Sequence, residues 1–355
     1  MNIVFFINKS HNFPSKMIEY MTQRFPEIKK EFYVVDRKNE VYLPNLNNVH
    51  RITSYFEFIT NNQLRRDIRK SDKIIVSGVF TMQYVMMFMG KDILNKTYWQ
   101  FWGGDYEVFN NEKITIKQKM RKKIVDRCLS LAKGIVLLTH QEVDVFKKVF
   151  GKVYDCKMFA VPVPSGSGYE KILKKVRSQN PQMKRGGKKR IIIGNSATVT
   201  NRHEKLFNKI ANLNFKDIDL LCPLSYGNDL YRNEIVILGK RFFGDRFIPI
   251  VDYMEYDEYV SLLNSCDVGV YNHSRQQALG NISLMLHLGK KVYAPSNICD
   301  YYEQYGYKIY NIDLISKQNI NEVLEFSDEY AKRNVKCLAV RQKYIYDEWK
   351  KIITD

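Results

Sequence analysis

The sequence is short of acid. Its 355 residues carry 38 Asp and Glu against 56 Lys and Arg, a formal net charge of +18. Such an excess points to a polyanionic partner, whether nucleic acid, an anionic membrane surface or a phosphorylated ligand, without choosing among them. Cysteine is sparse and scattered. The six residues Cys128, Cys156, Cys222, Cys266, Cys299 and Cys337 form no Cys-x-x-Cys pair and no zinc spacing, which excludes finger-type metal sites and fits buried thiols in a reducing cytoplasm. Long apolar runs are missing too. The longest, residues 74–89, is broken by Ser77, Gly78, Thr81 and Gln83 and falls short of the ~20 residues that span a bilayer. The N-terminal Met1-Asn2-Ile3-Val4-Phe5-Phe6-Ile7 has no basic leader region and reads as a first strand rather than a signal. No P-loop, nucleophile elbow or His-Glu-x-x-His motif occurs, and no repeat or low-complexity tract stands out.

What is present is ordinary globular material, 45% hydrophobic and 26% charged, which rules out wholesale disorder, collagen and coiled coil. The length suggests about two domains. Short apolar runs alternate with segments of helical period. The runs Ile3–Ile7, Phe32–Val35, Lys73–Val76, Tyr98–Phe101 and Gly134–Leu138 read as strands. A second series follows at Arg190–Ile193, Asp219–Cys222, Glu234–Leu238, Val268–Tyr271 and Lys291–Ala294. Helical patterns cover Ser15–Phe25, Lys117–Ala132, His203–Leu213, Tyr256–Cys266, Asn281–Leu288 and Asp328–Ile353. Alternation of this kind predicts an α/β fold with parallel sheets flanked by helices. The expected boundaries are a first domain over 1–164, a basic linker over 165–189, a second domain over 190–327, and a C-terminal helix over 328–355 that packs back on the first domain. From Glu170 to Arg190 nine basic residues accompany one acidic residue.

In open parallel sheets ligands bind beyond the carboxyl ends of the strands, so the informative residues are those that follow strands. Gly194-Asn195-Ser196, with Asn201 and His203 at the next helix entry, lets backbone N–H groups approach a phosphate. The loop Arg275-Gln276-Gln277-Ala278-Leu279-Gly280-Asn281 offers a guanidinium fork and a second helix start to the same kind of ligand. In the first half, Trp99-Gln100-Phe101-Trp102-Gly103-Gly104-Asp105 ends a strand. There Trp99, Trp102, Gly103 and Gly104 are candidates for holding an acceptor, and Asp105 for a general base. His140 and His11, also after strands, are weaker bases. Glu112 to Arg127 holds seven basic residues interleaved with Ile114, Ile116, Met120, Ile124 and Val125. That pattern makes Lys117, Arg121, Lys122 and Lys123 candidates for contact with an anionic membrane. Asp217-Ile218-Asp219 imitates a metal-binding Asp-x-Asp but precedes its strand, the wrong end for a ligand, and reads as a turn.

These motifs resemble a known family. The series Trp99-x-x-Trp102-Gly103-x-Asp105, Gly194-Asn195-Ser196-x4-Asn201-x-His203, Glu255-Tyr256-Asp257 and Arg275-Gln276-Gln277-x-x-Gly280 is similar, over about residues 70–300, to the bacterial 4-acetamido-4,6-dideoxygalactose transferases of glycosyltransferase family fifty-six, which act in enterobacterial common antigen synthesis. The resemblance implies a GT-B architecture of two Rossmann-like domains facing across a cleft, the donor in the second and the acceptor in the first. It implies a dTDP-sugar donor, a polyprenyl-diphosphate-linked saccharide acceptor, and inverting transfer with no cofactor and no obligatory metal. The expected donor residues are Gly194, Asn195, Ser196, Asn201, His203, Tyr226, Glu255, Arg275, Gln276, Gln277, Gly280 and Asn281, with the Val251–Glu255 segment on the nucleobase. The expected place is the cytoplasmic face of the plasma membrane, as a peripheral protein with no nucleic-acid partner. The alternatives are a GT-B transferase using a UDP- or GDP-sugar, a nucleotide-sugar epimerase of similar fold, and a basic nucleic-acid-binding protein.

Overall fold

The computed structural model describes residues 1–9, 13–79, 82, 85, 89–110, 115–162, 168–178, 188–213, 215 and 217–355. They group into two compact units, Met1–Ser167 with Lys343–Asp355, and Gly168–Gln342. Each unit is built on one sheet in which every described pairing is parallel.

The first sheet comprises β1 (Asn2–Asn8), β2 (Lys29–Val35), β3 (Val49–Ile52), β4 (Lys73–Ser77), β5 (Thr97–Gln100), β6 (Gly134–Leu137) and β7 (Lys157–Ala160), in the order β3-β2-β1-β4-β5-β6-β7. The second comprises β8 (Lys189–Ile193), β9 (Ile218–Pro223), β10 (Phe247–Ile250), β11 (Val268–Val270), β12 (Lys291–Ala294) and β13 (Tyr310–Asn311), in the order β10-β9-β8-β11-β12-β13. Central strands are buried on both faces, as parallel sheets require. Ile3, Val4, Phe5, Phe6 and Ile7 of β1 are all buried. Val4 and Phe6 point to one face with Tyr33, Val35 and Val76; Ile3, Phe5 and Ile7 point to the other with Phe32, Val34 and Ile75. In both sheets the strand order reverses beside the first strand, at β1/β4 and at β8/β11. In open parallel sheets such switch points, at the carboxyl edge, are where ligands bind.

Nine of the ten expected strands are present. The exception is Glu234–Leu238, which lies inside the helix Asp229–Phe243. Asn228 caps that helix, its side chain accepting from Tyr231 N. Ile235, Gly239 and Phe243 form its buried stripe while Ile237 is exposed, so spacing by fours overrides the β-branched run. The strands not foreseen, β3, β7, β10 and β13, are the four edges of the two sheets. The expected linker also needs correction. Residues Gly168–Arg177 form a helix of the second unit, with Tyr169, Leu173 and Val176 buried at i, i+4 and i+7. The side-chain amide of Asn264 donates to Val176 O at 2.9 Å. Residues 179–187 of that stretch lie outside the described residues.

The last helix, Asp328–Thr354, begins in the second unit and ends in the first. Its final turns bury Ile345, Trp349, Ile352 and Ile353 against Met17, Met21 and the β1 side chains Ile3 and Phe5. Lys73 Nζ donates to Ile352 O and Ile353 O at 2.9 and 2.6 Å and so closes the helix end. Cys128, Cys222, Cys266, Cys299 and Cys337 are buried and Cys156 is half-buried. No helix among the described residues is long and apolar enough to cross a membrane. Trp349 is fully buried, so Trp349→Ala should cost about 3–5 kcal/mol. A fall in the urea midpoint of the first unit's unfolding measures it.

Candidate active site

In the second unit three loops meet at the carboxyl ends of β8, β9 and β11. Gly194 leaves β8 with φ +66°, and its N–H donates to Val270 O of β11 at 2.9 Å. A Cβ on Gly194 would lie 2.9 Å from both Asn201 Oδ1 and His203 Nε2, so the left-handed turn and the tight approach both demand glycine. Asn201, fully buried, clamps the turn. Its Oδ1 accepts from Asn195 N at 3.1 Å, and its Nδ2 donates to Ser196 O at 3.0 Å and to Thr198 Oγ1 at 2.9 Å. Gln277 crosses from the β11 loop. Its Nε2 donates to Asn195 Oδ1 at 3.2 Å and its Oε1 accepts from Thr200 Oγ1 at 2.6 Å. Ser274 N donates to Thr200 O at 2.9 Å. The β9 loop joins through Asn195 Nδ2 to Tyr226 OH at 2.7 Å and Ala197 N to Tyr226 O at 2.8 Å.

His273 sits under this knot and was not among the expected residues. Its Nε2 lies 2.9 Å from Asn195 Oδ1 and 3.0 Å from Asn201 Oδ1. Asn201 Oδ1 already accepts a backbone N–H, so it is an acceptor, and Nε2 must carry the imidazole proton. Burial, helped by the Arg275 charge and by His203, pushes His273 down to about 3. Burial pushes His203 down to about 4; its Nδ1 lies 3.1 Å from Tyr231 OH. Both imidazoles are neutral at working pH. The one cue to His273 was its place just past the carboxyl end of β11.

The expected donor residues therefore separate into two groups. Gly194 and Asn195 are buried, and Ser196, Asn201 and His203 fully so; these five hold the loop from beneath instead of forming its outer surface. Tyr226 and Gly280 are exposed, and Arg275, Gln276, Gln277 and Asn281 half-buried. Arg275 leads into the helix Leu279–His287, whose cap residue Ala278 takes φ +59°. Asn281 Nδ2 donates to Tyr259 OH at 3.0 Å. Glu255 stands apart: it is exposed and caps the helix Tyr256–Ser265, its carboxylate accepting from Glu258 N. Ile218 and Asp219 belong to β9 instead of the expected turn, and Asp219, at the amino end of that strand, pairs with Lys188 and Arg190.

In the first unit Asp105 joins two loops. Its Oδ2 accepts from Val79 N, past β4, at 3.1 Å, and its Oδ1 accepts from Trp102 N, past β5, at 3.0 Å. It is 1% exposed. Burial pushes its carboxyl up to about 6 against the opposing pull of those N–H donors and of Arg121. Gly103 takes φ +81° to turn the chain into the short helix Gly104–Glu107. Trp102 packs edge-on against Phe13 with centroids 4.5 Å apart, and its Nε1 donates to Ser77 Oγ at 3.3 Å. Trp99 is not available to an acceptor. Strand alternation turns it into the core, where it is fully buried. His140 is exposed after β6; Tyr344 donates to Ala160 O at 3.0 Å and receives His140 Nε2 at 2.8 Å. His11 lies outside the described residues.

A second buried carboxyl, Glu142, was missed. Its Oε2 accepts from Leu138 N and Thr139 N, both at 3.1 Å, and its Oε1 accepts from Tyr106 OH at 2.7 Å. Burial pushes it up to about 7, with a further push from Asp105. Thr139-x-x-Glu142 has the spacing of a capping box, and that was the available signal. The basic helix Ile116–Ser130 departs from expectation at two positions. Lys122 Nζ donates to Val149 O and lies over the Phe150 ring, and Arg121 is half-buried over Phe109. Both are turned inward, while Lys117 and Lys123 are exposed.

Comparison with known proteins gives the family and the fold. The sequence profile of the family described as 4-alpha-L-fucosyltransferase, glycosyl transferase group 56, matches residues 11–354, a longer stretch than the motifs alone delimited. The E. coli trehalose-6-phosphate protein solved with UDP-2-fluoro glucose is similar at 8% identity, over 98% of this chain and 96% of that one, TM-score 0.66. Anabaena HepE, in complex with UDP and glucose, is similar at 10% identity over 100% and 99%, TM-score 0.66. Sucrose-phosphate synthase from Thermosynechococcus elongatus is similar at 11% identity over 99% and 96%, TM-score 0.62. At such identities the likeness is one of fold, and the fold is GT-B, two Rossmann-like α/β units.

The two raised carboxyls carry a pH signature. Burial moves Glu142 from 4.5 to about 7, so the folded state binds its proton more tightly than the unfolded chain does. That contribution is full below about pH 4.5 and is lost as the pH rises to about 7. Glu142→Gln keeps an acceptor for the loop amides and a partner for Tyr106 without titrating. Its stability should therefore fall less than wild type's between pH 5 and 7, by about 1–3 kcal/mol, measured from urea midpoints across that range.

Proposed function

The chain belongs to glycosyl transferase group 56, and from that premise we propose that it transfers a 4-acetamido- or 4-amino-4,6-dideoxyhexose from a dTDP-sugar to a hydroxyl of a polyprenyl-diphosphate-linked saccharide, with inversion and without an obligatory metal, in the assembly of a bacterial surface polysaccharide. The family description names a fucosyl group, and a 4-amino-4,6-dideoxygalactose is fucose with its 4-hydroxyl replaced by nitrogen. A lipid-linked acceptor places the enzyme at the cytoplasmic face of the membrane as a peripheral protein.

The observation that carries the donor assignment is the knot of loops at the β8/β11 switch point. Gln277 ties the Gly194–Ser196 turn to the segment that presents Arg275 and the first N–H groups of the helix Leu279–His287. A guanidinium and a helix start together suit a nucleoside diphosphate. In the proposed reaction the acceptor oxygen attacks the anomeric carbon and the bond from that carbon to the phosphate oxygen breaks. The electron pair leaves with the dTDP, stabilised by Arg275 and the helix start in place of a metal. The acceptor proton goes to Asp105. A carboxyl held at about 6 is ionised at neutral pH yet far more basic than an ordinary aspartate, which favours proton abstraction.

UDP is the competing nucleotide, because two proteins of similar fold were solved with a UDP species. Thermal-shift titration with dTDP, UDP, GDP and their sugars decides between them, since a ligand of the native state raises the midpoint with its affinity. Selective stabilisation by dTDP species is expected. Preference for UDP or GDP would reassign the donor, and no response to any nucleotide would count against donor binding in this unit. Arg275→Ala should weaken nucleotide binding about tenfold or more in calorimetry. Asp105→Asn should lower turnover about 100-fold or more with nucleotide affinity unchanged. If instead His140→Ala abolishes turnover and Asp105→Asn spares it, the base is His140.

A further inference from the structure

The helices covering one face of the first sheet sort their charges. The helices Glu57–Thr60, Asn62–Lys70, Ile116–Ser130 and Glu142–Phe150 pack on the same side, since Phe58, Leu64, Ile68, Val125, Leu129 and Phe146 share one core with Phe6 and Val76. Their acidic groups are largely engaged with the unit itself. Glu57 accepts from Thr53 N and Ser54 N at 2.7 and 3.0 Å. Asp67 accepts from Tyr33 OH at 2.7 Å. Asp126 accepts from Tyr154 OH and pairs with Lys152 at 3.3 Å. Asp144 is exposed, but cations outnumber it on the outer surface: Arg65, Arg66, Arg69 and Lys70 on one helix, and Lys117, Lys119, Lys123 and Arg127 on another, are all exposed.

Exposed apolar side chains accompany them at one end. Phe56 is 75% exposed, Ile59 68%, Ile116 79% and Met120 63%. Phe56 and Ile59 precede the helix Asn62–Lys70, and Ile116 and Met120 lie in the first turns of the helix Ile116–Ser130. In a parallel sheet each connecting helix starts at the carboxyl edge, so all four mark the edge where Asp105 lies. Cations over a face with apolar side chains at its rim match an anionic bilayer, phosphate outside and acyl chain beneath. A nucleic acid would use the cations and leave the apolar groups in water.

We propose that the first unit docks on an anionic lipid bilayer through this helix face, with Arg65, Arg66, Arg69, Lys117, Lys119 and Lys123 against phosphate headgroups and Phe56, Ile59, Ile116 and Met120 at the acyl boundary. The segment Phe56–Lys70 is a docking element in its own right, beyond the basic helix that follows β5. The inference deepens the lipid-linked acceptor reading by giving the bilayer a specific face.

The test is flotation of the full chain with vesicles of phosphatidylcholine, with and without phosphatidylglycerol, at low and high salt. Binding should require phosphatidylglycerol and weaken with salt. Arg65→Ser/Arg66→Ser/Arg69→Ser and, separately, Lys117→Ser/Lys119→Ser/Lys123→Ser should each reduce it about tenfold. Phe56→Ser/Ile59→Ser should remove the binding that survives high salt. These positions are exposed, and an unchanged melting midpoint in each variant separates lost docking from lost folding. Equal binding to both vesicle types would overturn the proposal, as would full binding by the Arg65 variant, or binding to arbitrary duplex DNA but not to vesicles. No substrate enters the assay. Vesicle binding without a nucleotide response would strike the donor assignment and leave this one standing; the converse would do the opposite.

Discussion

Parallel pairing is the constraint on which the rest of the molecule depends. β1 pairs with β2 and β4 in the same direction, and β8 does so with β9 and β11. Each connection must return outside the sheet, usually as a helix, so every strand-to-helix turn within a unit falls at one edge. Gly78, Gly103 and Gly194 all take positive φ at such turns. The strand order reverses at β1/β4 and at β8/β11, the positions at which open parallel sheets take their ligands.

Turns gathered at an edge have no ladder to hold them, and here buried polar side chains supply the connection. Asn201 and Gln277 fasten the loop after β8 to the loop after β11. Asp105 fastens the loop after β4 to the loop after β5, and Glu142 joins Tyr106 to the loop after β6. Burying a polar group costs a few kcal/mol unless it is paired, so these groups stabilise only as complete sets, and each set specifies one loop arrangement. The arrangement also explains why so many polar residues near the edge are inaccessible. Ser196, Asn201 and His203 work from beneath, and the outer surface of these loops comes from Tyr226, Arg275, Gln276 and the start of the helix Leu279–His287. For the proposed transfer, loops fixed in advance suit a diphosphate leaving group, because oriented donors need not reorganise as charge develops.

Much of the fold was legible because central strands of a parallel sheet must be apolar on both faces. Lys73–Val76 and Val268–Tyr271 advertise themselves as short apolar runs between helical periods. The edge strands do not. β3 is Val-His-Arg-Ile and β10 is Phe-Ile-Pro-Ile; each has a solvated side that admits polar residues, and Pro249 is tolerated because an edge can lose a donor. Glu234–Leu238 misled for the opposite reason, four apolar residues in a row inside a helix whose buried stripe runs at spacing four. In the candidate site, the glycines and Arg275 were legible from their position after strands. His273 and Glu142 were not, because their importance lies in which distant amide or hydroxyl they meet.

The sequence by itself determined the two α/β halves, the excess of positive charge and the run of polar turns after strands, since all three follow from local composition and periodicity. Only the tertiary structure decided which side chains occupy the outer surface. Trp99 and Trp102 are three residues apart, yet strand alternation buries the first in the core and leaves the second beside Phe13. Lys122 and Lys123 are adjacent, yet the helix turns one onto Val149 O and the other to solvent. The charge of a residue is written in its side chain; the direction that side chain points is set by the elements packed against it.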